Sequence, residues 1–331
     1  MAKGGDRPGE FDLISRVLAP LSVSERGAFH LTDDAALLAP RKGSSFVVTA
    51  DAIVEGVHFL KSDPPFKLAQ KALRVNLSDL AAKGARPRAY LMTTAWPDWV
   101  TGAWIEEFAR GLQHDQDEFG IALVGGDTVS TPGPLSISIT AFGEVPGGKM
   151  IQRRGARAGD DVWVTGTIGD AGLGLKVALG QLADATVRQS DYVLGRYQVP
   201  VPRVSIAPAI ARIAHASIDI SDGLIADLGH VSVASRLGIV LNATDIPLSE
   251  AASALVRVGA ARIEDLLAAG DDYEVAFTAP VAARQRVQAL SRRSGVRITR
   301  IGTASGRTPG VTAKAENGEM LQISRAGFTH F

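Results

Sequence analysis

Short β-branched, apolar runs that stop at an aspartate in a Gly, Ser or Thr setting recur along this chain, and they limit its fold more than any other feature. Phe46 to Thr49 leads to Asp51, Ile121 to Val124 runs into Gly125-Gly126-Asp127, and Ile218 to Ile220 carries Asp219 and leads into Ser221-Asp222-Gly223. Each run reads as a strand that delivers a carboxylate at its tip. Between them lie segments of helical character. From Phe66 to Lys83, Ala72, Asn76, Asp79 and Lys83 share one face and Gly84 is the stop; from about Thr101 to Phe119, Ile105, Phe108 and Leu112 form a stripe that ends at Gly120. Leu135 to Val145 alternates Leu135, Ile137 and Ile139 with Ser136, Ser138 and Thr140, the period of a strand with one wet or ligand-facing side. The pattern predicts α/β or α+β architecture.

At 331 residues the chain is too long for one ordinary layer and fits two domains. The boundary falls in Pro146-Gly147-Gly148 through Gly159, which is turn-rich, basic and without apolar period, giving an N-terminal domain over 1–148 and a C-terminal domain over 149–331. In the second half, Val162 to Thr165 reads as a strand, Gly166 to Gly174 as a turn and Leu173 to Leu182 as a helix. Leu224 to Leu237 follows as a helix stopped by Gly238, with further strands at Ile239 to Asn242, Tyr273 to Thr278 and Val296 to Gly302. Lys+Arg and Asp+Glu balance at 35 each, so no global field favours nucleic acid or an anionic membrane. The absence of Cys excludes disulfides, a thiolate nucleophile and Cys-ligated zinc or iron–sulfur clusters. The polar opening segment and the lack of a long apolar run predict a cytoplasmic chain with no membrane span.

Three familiar sites fail on inspection. Gly143 to Met150 approaches the phosphate-loop pattern, but Met150 has no hydroxyl and Pro146 interrupts the amide run, so a plain turn is expected. The glycines at 166, 169, 172 and 174 do not make a dinucleotide fingerprint. The six histidines never pair as H-x-x-x-H, and G-x-S-x-G is absent. What remains is the acidic set: Asp34, Asp51, Asp79, Asp127, Asp219 and Asp222. Singly, each could be an Asx turn or a helix cap. Brought together without cations they would raise one another's pKa and oppose folding, so their convergence would require metal, and oxygen-only donors suit Mg²⁺ with substrate phosphates.

Taken in order, Gly9-Glu10-Phe11, Thr32-Asp33-Asp34-Ala35-Ala36, Thr49-Ala50-Asp51, Glu55-Gly56-Val57-His58-Phe59, Asn76 to Ala85, Gly125-Gly126-Asp127-Thr128, Ile218 to Leu224, Gly270-Asp271-Asp272-Tyr273-Glu274 and Gly327-Phe328-Thr329-His330-Phe331 resemble the thiamine-monophosphate kinases. The resemblance covers the whole chain. It implies the aminoimidazole-ribonucleotide synthetase-like superfamily fold, in which the N-terminal domain forms a dimeric β-barrel with ATP near the interface, followed by a C-terminal α/β domain. It implies several Mg²⁺ ions per site held by Asp34, Thr49, Asp51, Asp79, Asp127, Asp219 and Asp222. ATP would be contacted by Gly126, Asp127, Arg153 and Ser221, and thiamine monophosphate by His58, Asp271 and Phe328, with Arg325 as another candidate near the C-terminus. Two positions depart from the family pattern: Thr32 stands where glycine is usual, and Asp271 where glutamate is usual.

The implied reaction is Mg²⁺-dependent, direct in-line transfer of the γ-phosphoryl group of ATP onto thiamine monophosphate, the last step of thiamine diphosphate biosynthesis, in a homodimer. No residue would act as nucleophile or base; positioning and metal electrostatics carry the chemistry. The nearest alternative is an ATP-dependent synthetase of the aminoimidazole-ribonucleotide synthetase type. Selenophosphate synthetase and the hydrogenase-maturation relative depend on Cys or selenocysteine, and the absence of Cys argues against both. A silent nucleotide sensor and a phosphohydrolase stand as further alternatives, separable by product analysis.

Overall fold

A computed structural model of the chain describes residues 7–306, 308–323 and 327–328. Arg325 and Thr329 to Phe331 of the quoted motifs lie outside the described residues. The residues fall into two compact units, Met1–Leu80 with Ala85–Lys149, and Ala81–Gly84 with Met150–Phe331.

The first unit opens with α1 (Glu10–Leu13) and short irregular helical turns to Leu31, followed by β1 (Ser44–Val54), α2 (Pro65–Ala82), β2 (Arg86–Trp96), α3 (Gly102–Phe119), β3 (Ala122–Ser130) and β4 (Ser136–Pro146). The strands form one sheet in the order β1-β4-β2-β3, with β2 and β3 parallel and the other pairs antiparallel. α3 begins where the Thr101 hydroxyl accepts the Trp104 amide at 3.2 Å and ends at Gly120. Its stripe of Ile105, Phe108 and Leu112 is buried, as are Leu73, Leu77 and Leu80 of α2 and the strand residues Tyr90, Met92, Trp96, Ile137 and Ile139. β4 alternates as expected: Ile137, Ile139 and Ala141 are buried, and Ser138, Thr140 and Phe142 are only partly covered.

One expectation requires correction here. β1 and β3 do not stop at their aspartates: Asp51 pairs with Ile139 and Asp127 with Thr93, so both lie within strands that continue for three further residues. Backbone pairing overrides the low strand preference of aspartate. The sheet is open within one chain, with β1 and β3 as its edges. The uncovered face carries exposed Val48, Leu91 and Val129.

The second unit contains β5 (Asp161–Thr165), α4 (Asp170–Ala178), α5 (Val187–Gln198), α6 (Ala207–Ile210), β6 (Ala216–Asp219), α7 (Leu224–Ser235), β7 (Gly238–Asn242), α8 (Glu250–Arg257), α9 (Ile263–Ala268), β8 (Val275–Ala279), α10 (Arg284–Ser294), β9 (Ile298–Ser305) and β10 (Gly310–Lys314). Its mixed sheet runs β10-β7-β9-β5-β8-β6. One core gathers Val162, Val164, Ile218, Leu224, Leu228, Val231 and Ile239; another gathers Trp163, Ile206, Ile210, Phe277, Val287 and Leu290. α4 begins before the predicted position, so Gly172 and Gly174 lie within it rather than in a turn. α7 ends at Arg236, which takes the left-handed conformation, and Gly238 begins a strand instead of stopping the helix. The near-match to a phosphate loop is a turn, closed by the Lys149 amide on the Pro146 carbonyl at 3.1 Å. Among the described residues no helix is long and apolar enough to cross a membrane.

Candidate functional site

In the first unit the predicted residues form two groups, one at each edge of the sheet. At the β1 edge, Thr49 and Asp51 alternate onto the face shared with buried Val47 and Ile53, and α2 supplies their partners. Asn76, fully buried within α2, accepts the Asp51 amide at 3.2 Å through its side-chain oxygen and donates to the Ala72 carbonyl at 3.1 Å, which fixes its amide orientation. The Thr49 hydroxyl donates to Asp79, one turn further along the helix. His58 lies in the turn after β1; its Nδ1 accepts the Val54 amide at 3.1 Å, so a neutral ring carries its proton on Nε2.

At the β3 edge, Asp34, Gly126 and Asp127 line one cleft of about 450 Å³. Its other walls are the apolar side chains of Phe11, Ile14, Leu18, Leu31 and Leu123, with Asp33 beside Asp34. Asp33 accepts the Asp34 amide at 2.8 Å, and Asp127 accepts the Thr128 amide at 2.8 Å through one oxygen. Gly126 has φ +151, and a Cβ there would sit 1.8 Å from the Met92 carbonyl oxygen on the neighbouring strand. Only glycine permits that strand to carry Asp127 into the cleft.

Asp51, Ile139, Met92 and Gly126 occupy one row across the sheet. Three strand spacings of about 4.8 Å therefore separate the two groups by roughly 14 Å. Within the first unit Asp51 and Asp127 do not share a coordination shell.

In the second unit, Asp219 ends β6, and Ser221-Asp222-Gly223 forms the turn into α7. A residue not singled out from sequence organises this turn. One carboxylate oxygen of Asp227 accepts the amides of Ser221, Asp222 and Gly223 at 3.1, 3.0 and 3.1 Å. Burial, and then the charge of Asp222, push the Asp227 carboxyl up from 3.8 to about 7 despite these three donors. Ligating atoms of Asp222, Asp227 and His230 lie within 4.8 Å of one another. His230 and Arg153 both line an open cavity of about 550 Å³ beside α7. Asp271 and Phe328 reach the same turn through the backbone, the Asp271 amide on the Ser221 carbonyl at 2.8 Å and the Phe328 amide on the Asp222 carbonyl at 3.0 Å. The only sequence signal for Asp227 was its place in the first turn of a helix that follows an acidic loop.

Every predicted metal residue offers oxygen, the donor set Mg²⁺ takes when it keeps several waters and binds few carboxylates directly. Thr49 with Asp79, and the Asp127 and Asp222 carboxylates, fit such ions. Among the described residues one other trio of potential ligands comes as close as Asp222, Asp227 and His230, namely His114, Asp115 and Glu118, and there Arg74 already pairs with Asp115 and Glu118 at 2.7 Å.

The sequence models of the AIR synthase related protein N-terminal and C-terminal domains match residues 32–145 and 157–314. These matches, together with the two-unit arrangement, define an AIR synthase related protein. A thiamine-monophosphate kinase of Caulobacter vibrioides is 41% identical over 327 residues, covering 98% of this chain and 91% of that protein. The crystal structure of thiamine-monophosphate kinase from Stenotrophomonas maltophilia superposes with a TM-score of 0.83 at 39% identity, covering 95% of this chain and 98% of that one. A structure of AaThiL complexed with AMPPCP and TMP matches with a TM-score of 0.76 at 29% identity, covering 98% and 97%. The chain belongs to the thiamine-monophosphate kinase family.

Proposed function

We propose that this protein phosphorylates thiamine monophosphate to thiamine diphosphate, using ATP. The observation that carries the reading is similarity over nearly the whole of both chains to proteins named for this activity, one of them complexed with an ATP analogue and TMP. It favours the kinase over the synthetase alternative.

The chemical problem is the meeting of two anions. A phosphate monoester has a second pKa of about 6, so the acceptor oxygen is already ionised near neutrality and needs no base. Each pair of unit charges at about 4 Å repels by roughly 1 kcal/mol in water and about 4 kcal/mol at an effective dielectric of 20. Bound Mg²⁺ supplies charge neutralisation along the phosphates. Asp34, Thr49, Asp51, Asp79, Asp127, Asp219 and Asp222 are the residues we assign to hold it. Gly126, Asp127, Arg153 and Ser221 are assigned to ATP, with the guanidinium fork of Arg153 on a phosphate. The apolar side chains of Phe11, Ile14 and Leu18, which line the same cleft as Asp34 and Asp127, suit the base of the nucleotide. His58, Asp271 and Phe328 are assigned to thiamine monophosphate.

We also assign a homodimer in which the open face of the first sheet is covered, making the barrel that one chain lacks. Exposed Val48, Leu91 and Val129 support this, because apolar side chains on a sheet face favour a partner. The experiment is incubation with ATP, Mg²⁺ and thiamine monophosphate, followed by chromatography. Stoichiometric thiamine diphosphate and ADP are expected. Free phosphate without thiamine diphosphate would overturn the assignment.

A further inference from the structure

The segment Gly270-Asp271-Asp272-Tyr273-Glu274 has an unusual backbone. Asp271 and Tyr273 both take left-handed conformations, with φ of 68° and 50°, although neither is glycine. Such geometry persists only where the surroundings over-determine it. The alternate residues, Asp272 and Glu274, point inward and are 1% and 0% exposed. Asp272 accepts the Gly169 and Ala171 amides at 2.6 and 3.2 Å, at the start of α4. Burial and then the neighbouring charge of Asp170 push its carboxyl well above the ordinary range, with the Gly169 amide opposing.

Glu274 is held more heavily. The Arg203 fork donates to both of its oxygens, Nε at 2.5 Å; the Thr165 hydroxyl donates at 2.6 Å, and Arg196 at 3.0 Å. Arg196 also reaches the Asp272 carbonyl at 3.3 Å. Burial alone would lower the Arg196 guanidinium, but Glu274, Asp272 and Asp170 hold it raised. Gly166 completes the pocket. Its φ is +59, and a Cβ there would lie 2.0 Å from a Glu274 oxygen.

These buried groups fix more than their own loop. The Asp271 amide donates to Ser221 O, the Tyr273 amide to Ile220 O, and the Ile220 amide to Glu274 O, each at 2.8 Å. The segment bearing Asp271 is thereby laced to the segment bearing Ser221 and Asp222. We infer that Glu274, with Arg203, Arg196 and Asp272, positions Asp271 and Ser221-Asp222 as one rigid piece, setting the acceptor-binding and nucleotide-binding groups of the second unit in register without touching either ligand. The inference rests on the kinase reading, which assigns Asp271 to the acceptor and Ser221 to ATP.

The test uses the full chain, with Glu274→Gln against a matched control, Asp161→Asn. Asp161 is equally buried and is paired with Arg284 at 2.6 Å and Arg300 at 2.5 Å, away from the 270–274 loop. Assays are run well below each variant's unfolding midpoint. Glu274→Gln is expected to raise KM for thiamine monophosphate and lower kcat, each at least tenfold, while Asp161→Asn shifts neither more than twofold even if its midpoint falls as far. If Glu274→Gln does not fold, Arg203→Lys replaces it and is expected to show the same split at smaller size, because an ammonium cannot rebuild the fork. Kinetic constants indistinguishable from those of the control would overturn the inference.

A second readout needs no substrate. Amide hydrogen exchange over 270–274 is expected to accelerate at least tenfold in the Glu274 or Arg203 variant and not in the control; equal protection would overturn the inference by itself. A wild type that makes no thiamine diphosphate, with the exchange difference intact, would instead overturn the kinase reading and with it the link to catalysis.

Discussion

Replacing Arg74 should expose how the β1-edge group is held in place. Arg74 of α2 donates to both oxygens of Asp115 of α3, each at 2.7 Å, while Gln70 adds a bond at 2.9 Å. The side chains of Arg74 and Asp115 are 7% and 0% exposed. This pair clamps onto α3 the helix that carries Asn76 and Asp79. Removing one partner of a buried pair leaves an uncompensated charge and costs about 3–5 kcal/mol, whereas replacing both by apolar groups is often close to neutral. Arg74→Met should therefore lower stability by about 3–5 kcal/mol. At about 2–4 °C per kcal/mol for a unit near 150 residues, the midpoint should fall by roughly 6–20 °C. Arg74→Met with Asp115→Leu should recover most of the loss. Trp96, Trp99 and Trp104 all lie in the first unit, with Trp163 alone in the second, so urea unfolding followed by tryptophan fluorescence reports mainly on the relevant unit. A loss below about 1 kcal/mol for Arg74→Met, or a double variant no more stable than the single, would refute the argument.

Asp127→Asn should reduce turnover by at least 10²-fold with the unfolding midpoint unchanged within a few degrees, because Asp127 is exposed and a neutral amide still accepts from Thr128; near-normal turnover would count against its metal role. Incubation with γ-labelled ATP should leave no label on denatured protein, since direct transfer passes through no phosphoenzyme. Asp227 titrates high in the folded state, so its stabilising contribution is full below the ordinary value of 3.8 and is lost as pH climbs to about 7. In EDTA, wild type should lose more stability from pH 5 to pH 8 than Asp227→Asn, and parallel curves would dismiss the shift.

The long elements of the first unit were legible because their local signals agree. Thr101, the apolar stripe and Gly120 all mark α3, and the serine–isoleucine alternation of β4 survives as alternating burial. β2 carries no legible strand pattern, for a physical reason. It opens on Arg86-Pro87-Arg88, and its hydropathy runs against its burial, with Leu91 exposed and Thr94 buried beneath the helices. The acidic residues set among Gly, Ser and Thr stand out in the sequence, but the distribution of those in the first unit over two sheet edges depends on strand order, which no local pattern encodes. The sequence assigns no role to Asp227, Asp272 or Glu274, for a different reason. A buried carboxylate is intelligible only beside its donors, and those of Glu274 stand at positions 165, 196 and 203.

Gly166 and Glu274 also bear on how such chains can diverge. A methyl group at the first position and the carboxylate at the second would compete for one volume, while a shorter acid at 274 would strand two guanidinium groups. Substitution at either site is therefore admissible only with a compensating change at the other and in the arginines. Homologues in which this quartet has changed should have changed it together, and should place the Asp271 side chain differently.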